Sequence, residues 1–322
     1  MSNVKVYLRI RPETNITSNN PESSLIYNDI TSNRPKSLDP LMNNVNTIKI
    51  TDCKTGKRCQ VTSDKRHFNE RHFDFEEIFE ETSSQDDVYK VFRLKLLESA
   101  LNGLNFCLMN YGQTSAGKTF TMFGEPDSKR EGLVLRFIRE LFQKLNEDYE
   151  DDPEKYLVKC SFFEIYKEKI IDLSVDNEIE TNLQIRENVE KETYIDGLNY
   201  EIFNSSSELI DKLSRSLSKR RINETAMNDR SSRSHFVLTL QIESRTQIEC
   251  PGKEEKVEIE VMKKSKLVFV DLAGSERQIH NNINVIQEGC SINKSLSVLQ
   301  HVITSLAKKS QNKEFVHFRD SK

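Results

Sequence analysis

Tyr111-Gly-Gln-Thr-Ser-Ala-Gly-Lys-Thr-Phe120 carries the pattern G-x-x-x-x-G-K-[ST], with Gly112, Gly117, Lys118 and Thr119 at its fixed positions. The residues before it, Leu104-Asn-Phe-Cys-Leu-Met-Asn110, form a short apolar run suited to a buried strand. The residues from Thr119 onward can open a helix. Strand, glycine loop and helix in this order are the context in which the pattern binds phosphate. Glycines let the backbone wrap a phosphate without a Cβ in the way, so that N–H groups point inward. Lys118 then reaches the outer phosphates, and the Thr119 hydroxyl ligates Mg²⁺. The ligand implied is a nucleoside triphosphate.

The rest of the chain gives that loop a setting. Its 322 residues are 30% charged and 36% hydrophobic, with a net charge of −4. This balance suits a soluble domain and argues against a general nucleic-acid binder, which is normally basic. No apolar run approaches the length of about 18–20 residues that a membrane span needs, and the N-terminus lacks a signal peptide's apolar centre. The six cysteines (Cys53, Cys59, Cys107, Cys160, Cys250 and Cys290) contain no C-x-x-C pair. They read as free thiols in a cytosolic protein.

Residues 4–10 alternate in strand fashion and stop at Pro12. Residues 13–46, rich in Asn, Ser, Thr and Pro, read as a long polar surface loop. Strands are expected at 47–51, 57–62, 72–75 and 156–166, and helices from Gln85 to about Asn102 and from Leu133 to Leu145. Ser205 and Glu208 can cap a helix running to about Arg221. Residues 236–244 and 266–271 are apolar strands of a long antiparallel hairpin. Ile292, Leu296, Leu299, Ile303 and Leu306 lie on one face of a helix from 292 to about 309. The simplest assembly is α/β, with one mixed sheet flanked by helices and no evident domain boundary.

Three further motifs narrow the chemistry. Asp271-Leu-Ala-Gly-Ser-Glu-Arg277 follows the strand Leu267-Val-Phe-Val270. An Asp at the end of such a strand holds Mg²⁺, usually through water. Gly274 can offer its N–H to a γ-phosphate. Asn228-Asp-Arg-Ser-Ser-Arg-Ser-His235 is a polar loop entering a strand, with hydroxyls suited to Mg²⁺ and the γ-phosphate. In Arg9-Ile-Arg-Pro12, a stiff proline and a guanidinium can pack on a purine.

Together these motifs resemble the kinesin motor domains, P-loop NTPases with a central mixed sheet flanked by helices on both faces. Flanking matches include Phe73-Asp-Phe75, Glu164-Ile-Tyr166, Thr225, Met227-Asn228, Ile292-Asn-Lys-Ser-Leu296 and Arg319-Asp-Ser-Lys322. The likeness spans essentially the whole chain, read as one motor domain over 1–322. Within the family, Glu288-Gly-Cys290, Glu243-Ser-Arg245 and Gly132-Leu-Val-Leu-Arg136 resemble the centromere-associated plus-end group.

The resemblance implies a microtubule-stimulated ATPase in the cytoplasm, on cytoskeletal microtubules and the spindle. It implies a base held between Arg9, Arg11 and Pro12 on one side and Phe120 on the other. Phosphates would lie on the N–H groups of Gln113, Thr114, Ser115, Ala116, Gly117, Lys118 and Thr119. Mg²⁺ would be held by Thr119, Ser232 and Asp271. Arg233 and Glu276 would form an ion pair linking two switches. Asn228, Ser231 and Gly274 would orient the lytic water, and Glu276 would take its proton through a second water. The helix and loop at 292–313, with Lys294, Lys308, Lys309 and Lys313, would meet the acidic tubulin surface, with Arg186 and Lys191 as a second contact.

The chain departs from the family in three places. Residues 278–291 are short, lack T-G-A-x-G and contain no lysine, which implies weaker or differently regulated track binding. Residues 13–46 are longer than usual. The sequence stops at Lys322, where family members continue through further elements and a neck linker. A motor head incomplete at that end is therefore expected, with dimerisation confined to a missing region. The runner-up reading is a non-motile, nucleotide-regulated microtubule-binding module. A GTPase is disfavoured by the lack of an N-K-x-D motif, and a myosin-like motor by the switch sequences.

Overall fold

The computed structural model describes residues 4–11, 46–53, 56–63, 70–150, 152, 155–175, 183–189, 192–222, 233–250, 257–276, 283–308 and 316–322. Its contacts divide the chain into two units, Met1–Ser83 and Ser84–Lys322. The first unit holds two small sheets. Strand β1 (Tyr7–Arg9) runs parallel to β5 (Glu77–Phe79), with Leu8 opposite Ile78. Strands β2 (Asn46–Cys53), β3 (Gly56–Ser63) and β4 (Arg71–Phe75) form an antiparallel meander. The expected loop at 13–46 lies outside the described residues except for Asn46, which opens β2.

The second unit is built on a mixed six-stranded sheet. In chain order its strands are β6 (Phe106–Asn110), β7 (Tyr156–Tyr166), β8 (Lys169–Asp172), β11 (Glu201–Phe203), β12 (His235–Cys250) and β13 (Val257–Asp271). Their spatial order is β11-β7-β12-β13-β6, with β8 paired to β7. The long hairpin β12–β13 is antiparallel, as its alternation predicts, and pairs Phe236 with Asp271. Strand β6 runs parallel to its neighbour β13, setting Asn110 beside Asp271. A separate hairpin joins β9 (Gln184–Glu187) to β10 (Thr193–Asp196).

Period-2 alternation sorts the two faces of the sheet. Val158, Cys160, Phe162, Phe236, Leu238, Leu240, Leu267 and Phe269 are buried on one of them. Helices cover this face: α1 (Gln85–Leu101), α3 (Leu133–Asp148) and α4 (Ser206–Ile222). The Phe137 ring of α3 packs on Phe269 with centroids 5.8 Å apart, and Leu133, Leu141 and Leu145 are buried beside it in the expected stripe. Phe163 and Val237 point the other way, into a second core with Ile170, Leu183 and Leu198.

Helix starts follow their capping chemistry. Ser84 and Asp87 form a reciprocal capping box at α1, with Asp87 N–H donating to Ser84 Oγ and Ser84 N–H to Asp87 Oδ2. At α4 the Ser205 hydroxyl accepts from Glu208 N–H at 3.3 Å, as its sequence predicts.

Two elements differ from expectation. The helix after the glycine loop, α2 (Lys118–Met122), lasts only five residues before the bridge Gly124–Glu131 turns the chain. Helix α5 (Ile283–Lys308) starts nine residues before Ile292. Among its described side chains, the apolar stripe is buried at Leu296. Leu299 and Ile303 are half-buried and Leu306 is exposed, so the stripe meets the sheet unit at one end. There Leu296 and Leu299 pack against Val270, Leu272 and Ala273.

Candidate functional site

The parallel pairing of β6 with β13 brings two loops side by side at the ends of those strands. Leu272 N–H donates to Asn110 O at 3.3 Å and Ser275 N–H to Gly112 O at 3.0 Å, so the 271–276 loop lies along the glycine loop. Asn110 Nδ2 donates to Lys118 O at 2.8 Å and ties the strand end to the helix start. Gly117 caps α2 with φ +92°, a left-handed conformation in which a Cβ is strained.

The charged groups converge at this junction. Thr119 Oγ1 donates to Asp271 Oδ2 at 2.6 Å. Lys118 Nζ donates to Gly112 O at 3.0 Å and Gln113 O at 2.8 Å, folded over its own loop. Burial pulls its ammonium below the ordinary lysine value, while Asp271 and Glu276 act in the opposite direction. The Glu276 carboxylate takes the Thr114 N–H at 2.7 Å on Oε2 and the Thr114 hydroxyl on Oε1. Burial pushes this carboxyl up, but the bonds from Thr114 and the Lys118 charge hold it below the usual range. Gly274, buried between them, would bring an added Cβ to 2.2 Å from Thr114 Oγ1.

Asp271 is 1% exposed and shares its Oδ2 with a residue that no motif signals. Arg220, on α4, donates from Nη1 to Asp271 Oδ2 at 3.0 Å, from Nη2 to Ser234 O at 2.8 Å and from Nε to Ser234 Oγ at 3.3 Å. Glu164 lies 3.8 Å from its Nε. The basic run Lys219-Arg220-Arg221 gives no sign that its middle member turns inward. Arg220→Lys is expected to lower stability by about 2 kcal/mol, since one ammonium cannot reach all these acceptors from a buried stem. Urea unfolding checks this, and an unchanged midpoint would refute it.

A hydrated magnesium ion fits this donor set. Asp271 Oδ1 is buried with no hydrogen-bond partner among the described residues, which is what a carboxylate that receives metal-bound water leaves open. Thr119 supplies a hydroxyl next to it. Among the described residues no three His, Cys, Asp or Glu side chains cluster as a metal cage. Mg²⁺ suits a site with few protein ligands, since it keeps several waters and binds phosphate oxygens.

The other expected residues divide into placed and undescribed. Arg9 is half-buried at the end of β1, and Arg11 is exposed beyond it, both in the first unit. Phe120 is half-buried on α2, with the Arg130 guanidinium 5.2 Å from its ring centroid. Arg233 is buried just before β12. Pro12, Asn228, Ser231, Ser232, Lys191, Lys309 and Lys313 lie outside the described residues, as does the side chain of Lys308. Lys294 is exposed on α5. Arg186 is exposed but paired with Asp196 at 2.8 Å. His235, unassigned in its motif, accepts the Ala273 N–H on Nδ1 at 3.1 Å. Among the described residues the cysteines Cys53, Cys59, Cys107 and Cys160 form no disulfide, and no helix is long and apolar enough to cross a membrane.

Comparison with known proteins matches this arrangement to one family. A family model described as the kinesin motor domain covers residues 9–322. Kinesin-like protein KIN-12D of Arabidopsis thaliana is 37% identical over 265 residues, 79% of this chain and 9% of that protein. Centromere-associated protein E of Homo sapiens is 35% identical over 254 residues, 78% of this chain and 9% of that protein. The chain thus spans about a tenth of the length of these curated relatives. Among solved structures, the motor domain of Kar3 from Saccharomyces cerevisiae superposes with a TM-score of 0.73 at 29% identity, covering 100% of this chain and 87% of that one. The motor domain of a Kar3-like kinesin from Ashbya gossypii gives 0.70 at 27% identity, covering 100% and 86%.

Proposed function

The chain belongs to the kinesin motor-domain family, and from that premise we propose that it is an ATP-driven microtubule motor head. It hydrolyses ATP to ADP and phosphate and couples switch movement to microtubule binding. The observation that carries this reading is the contact of the two loops at the ends of β6 and β13. Thr119 and Asp271 share a hydrogen bond there, with a buried carboxylate oxygen to spare.

In this reading the N–H groups of 113–119 receive the phosphates. Lys118 exchanges its carbonyl partners for the outer phosphate oxygens. Phe120 stacks on one face of the base. Thr119, Ser232 and Asp271 are the residues that would hold Mg²⁺, which when bound offsets charge on the phosphate oxygens. Gly274 N–H, Asn228 and Ser231 orient the γ-phosphate and the attacking water. Glu276 leaves Thr114 to pair with Arg233 and takes the water's proton through a second water. Positioning and electrostatics supply the acceleration, since the phosphoryl group needs little covalent help.

Loss of the γ-phosphate contact at Gly274 releases the 271–276 loop, and α5 follows. Residues 292–313, with Lys294, meet the acidic track, and Arg186 and Lys191 add a second contact once Arg186 exchanges Asp196 for tubulin. The spindle is the proposed setting, in line with the likeness to a centromere-associated relative.

Microtubule-stimulated ATPase activity tests the reading. Strong stimulation of phosphate release by added microtubules is expected. Microtubule binding with negligible turnover would overturn the motor in favour of a nucleotide-regulated binding module. No nucleotide-dependent interaction of either kind would remove both.

A further inference from the structure

We infer that His235 is a positioning residue that clasps the 271–276 loop to helix α5, so that displacement of the nucleotide-facing loop is carried into the helix proposed to meet the track. The inference rests on the motor reading above and assigns the connection to one side chain.

His235 opens β12 and stands one residue before Phe236, the register partner of Asp271. Both of its ring nitrogens are committed, to different elements. Nδ1 accepts the Ala273 N–H at 3.1 Å, between Asp271 and Gly274 in the chain. Nε2 lies 2.9 Å from Ser295 Oγ on α5. Because Nδ1 accepts, Nε2 carries the ring hydrogen and donates it to the serine. Burial first, then the neighbouring Arg220 charge, lowers the imidazole to about 4, so the ring stays in this neutral form.

Among the described residues the same loop and helix also meet through a small apolar cluster of Leu272, Ala273 and Leu296, with Val270 and Leu299 against it. Apolar contact is non-directional and tolerates sliding. Two hydrogen bonds on opposite edges of one rigid ring do not. They fix the separation of Ala273 N and Ser295 Oγ, and a shift of the loop breaks one bond unless the helix shifts with it. The backbone of His235 is anchored at the first residue of an interior strand of the sheet, and the residue is 7% exposed. The rigid ring turns on its side-chain torsions, so its two nitrogens move together.

The test measures basal and microtubule-stimulated ATPase for Ser295→Ala, Ser295→Thr, His235→Asn and the double variant His235→Asn/Ser295→Ala. Asparagine keeps an acceptor near the Nδ1 position and loses the reach to Ser295. Losing one neutral hydrogen bond is expected to lower the maximal microtubule-stimulated rate by about fivefold in Ser295→Ala and in His235→Asn. The double variant should be no worse than either single one, because both remove the same link. Ser295→Thr, which restores the hydroxyl, should recover most of the stimulation. Basal turnover of His235→Asn should stay within about twofold of the original, a split that general loss of structure would not give.

Wild-type stimulation in Ser295→Ala, or multiplying losses in the double variant, would overturn the clasp while leaving the motor reading intact. An unsubstituted protein that ignores microtubules would overturn the motor reading and the clasp with it. Should His235→Asn fail to fold, Ser295→Ala decides alone, since it removes only one hydroxyl from a partly exposed helix position.

Discussion

Replacing Glu276 with alanine is expected to leave nucleotide binding in place and to lower steady-state ATP turnover by about a thousandfold, the middle of the range for loss of a proton acceptor. Binding is expected to survive because Lys118 holds backbone carbonyls rather than this carboxylate, and loss of the carboxylate frees the Thr114 N–H that it occupies. Turnover falls because Glu276 is the only acidic side chain of the 271–276 loop besides Asp271, and Asp271 is held by Thr119 and Arg220. Glu276 is also kept in its basic form, since Thr114 and Lys118 hold its carboxyl below the usual range. Glu276→Gln separates two roles. Glutamine can still accept the Thr114 N–H through its amide oxygen, but it cannot take a proton at neutral pH. If Glu276→Gln is as slow as Glu276→Ala, proton transfer is what was lost. Fluorescent-nucleotide binding and single-turnover phosphate release are the measurements, and wild-type rates in Glu276→Ala would remove this residue from the mechanism.

Gly274→Ala is expected to lower turnover by about a hundredfold, comparable to the loss of one preorganised donor at a transition state, and to abolish release from microtubules on addition of ATP. The reason is steric. The added Cβ would stand 2.2 Å from Thr114 Oγ1, 2.5 Å from Glu276 Oε2 and 2.6 Å from Glu276 Oε1. The Glu276 carboxylate ends a flexible side chain and can swing aside. The Thr114 hydroxyl turns away by giving up its own bond to Glu276, so relief loosens the contact between the two loops. Such loosening would shift the Gly274 N–H from the position proposed for the γ-phosphate. Unchanged ATP-driven release in this variant, followed by light scattering of the microtubule complex, would refute the steric account.

Much of the site was legible because its parts are local. A strand, a glycine loop with Lys118 and Thr119, and an Asp closing a second apolar strand are patterns within a few residues of one another. The helix stripe Leu133, Phe137, Leu141, Leu145 and the Ser84 and Ser205 starts follow from spacing and capping in the same way, although Ser84 was not singled out in advance. Other features escaped sequence reasoning for reasons of distance. The 26-residue α5 extends back over a stretch with little regular apolar spacing, so its start left no periodic mark. Arg220 looks like one of three surface cations. Only the docking of α4 on the sheet turns it toward Asp271, fifty-one positions away in the chain. His235 was visible inside a motif, but its two partners lie thirty-eight and sixty residues away, and neither carries a signal that names it.

The sequence by itself determined the family and the expectation of a phosphate ligand, because phosphate binding needs particular residue types at fixed short spacings and these are written in order along the chain. The tertiary structure decided which groups share the site. Its determinant is the parallel register of β6 and β13, strands with about 150 residues between them, which sets Asn110 beside Asp271. Register of that kind is fixed by the packing of whole strands and helices against two cores, not by any local pattern. Residues that act through it, such as Arg220 beneath the carboxylate and His235 between loop and helix, become recognisable only once the sheet is assembled.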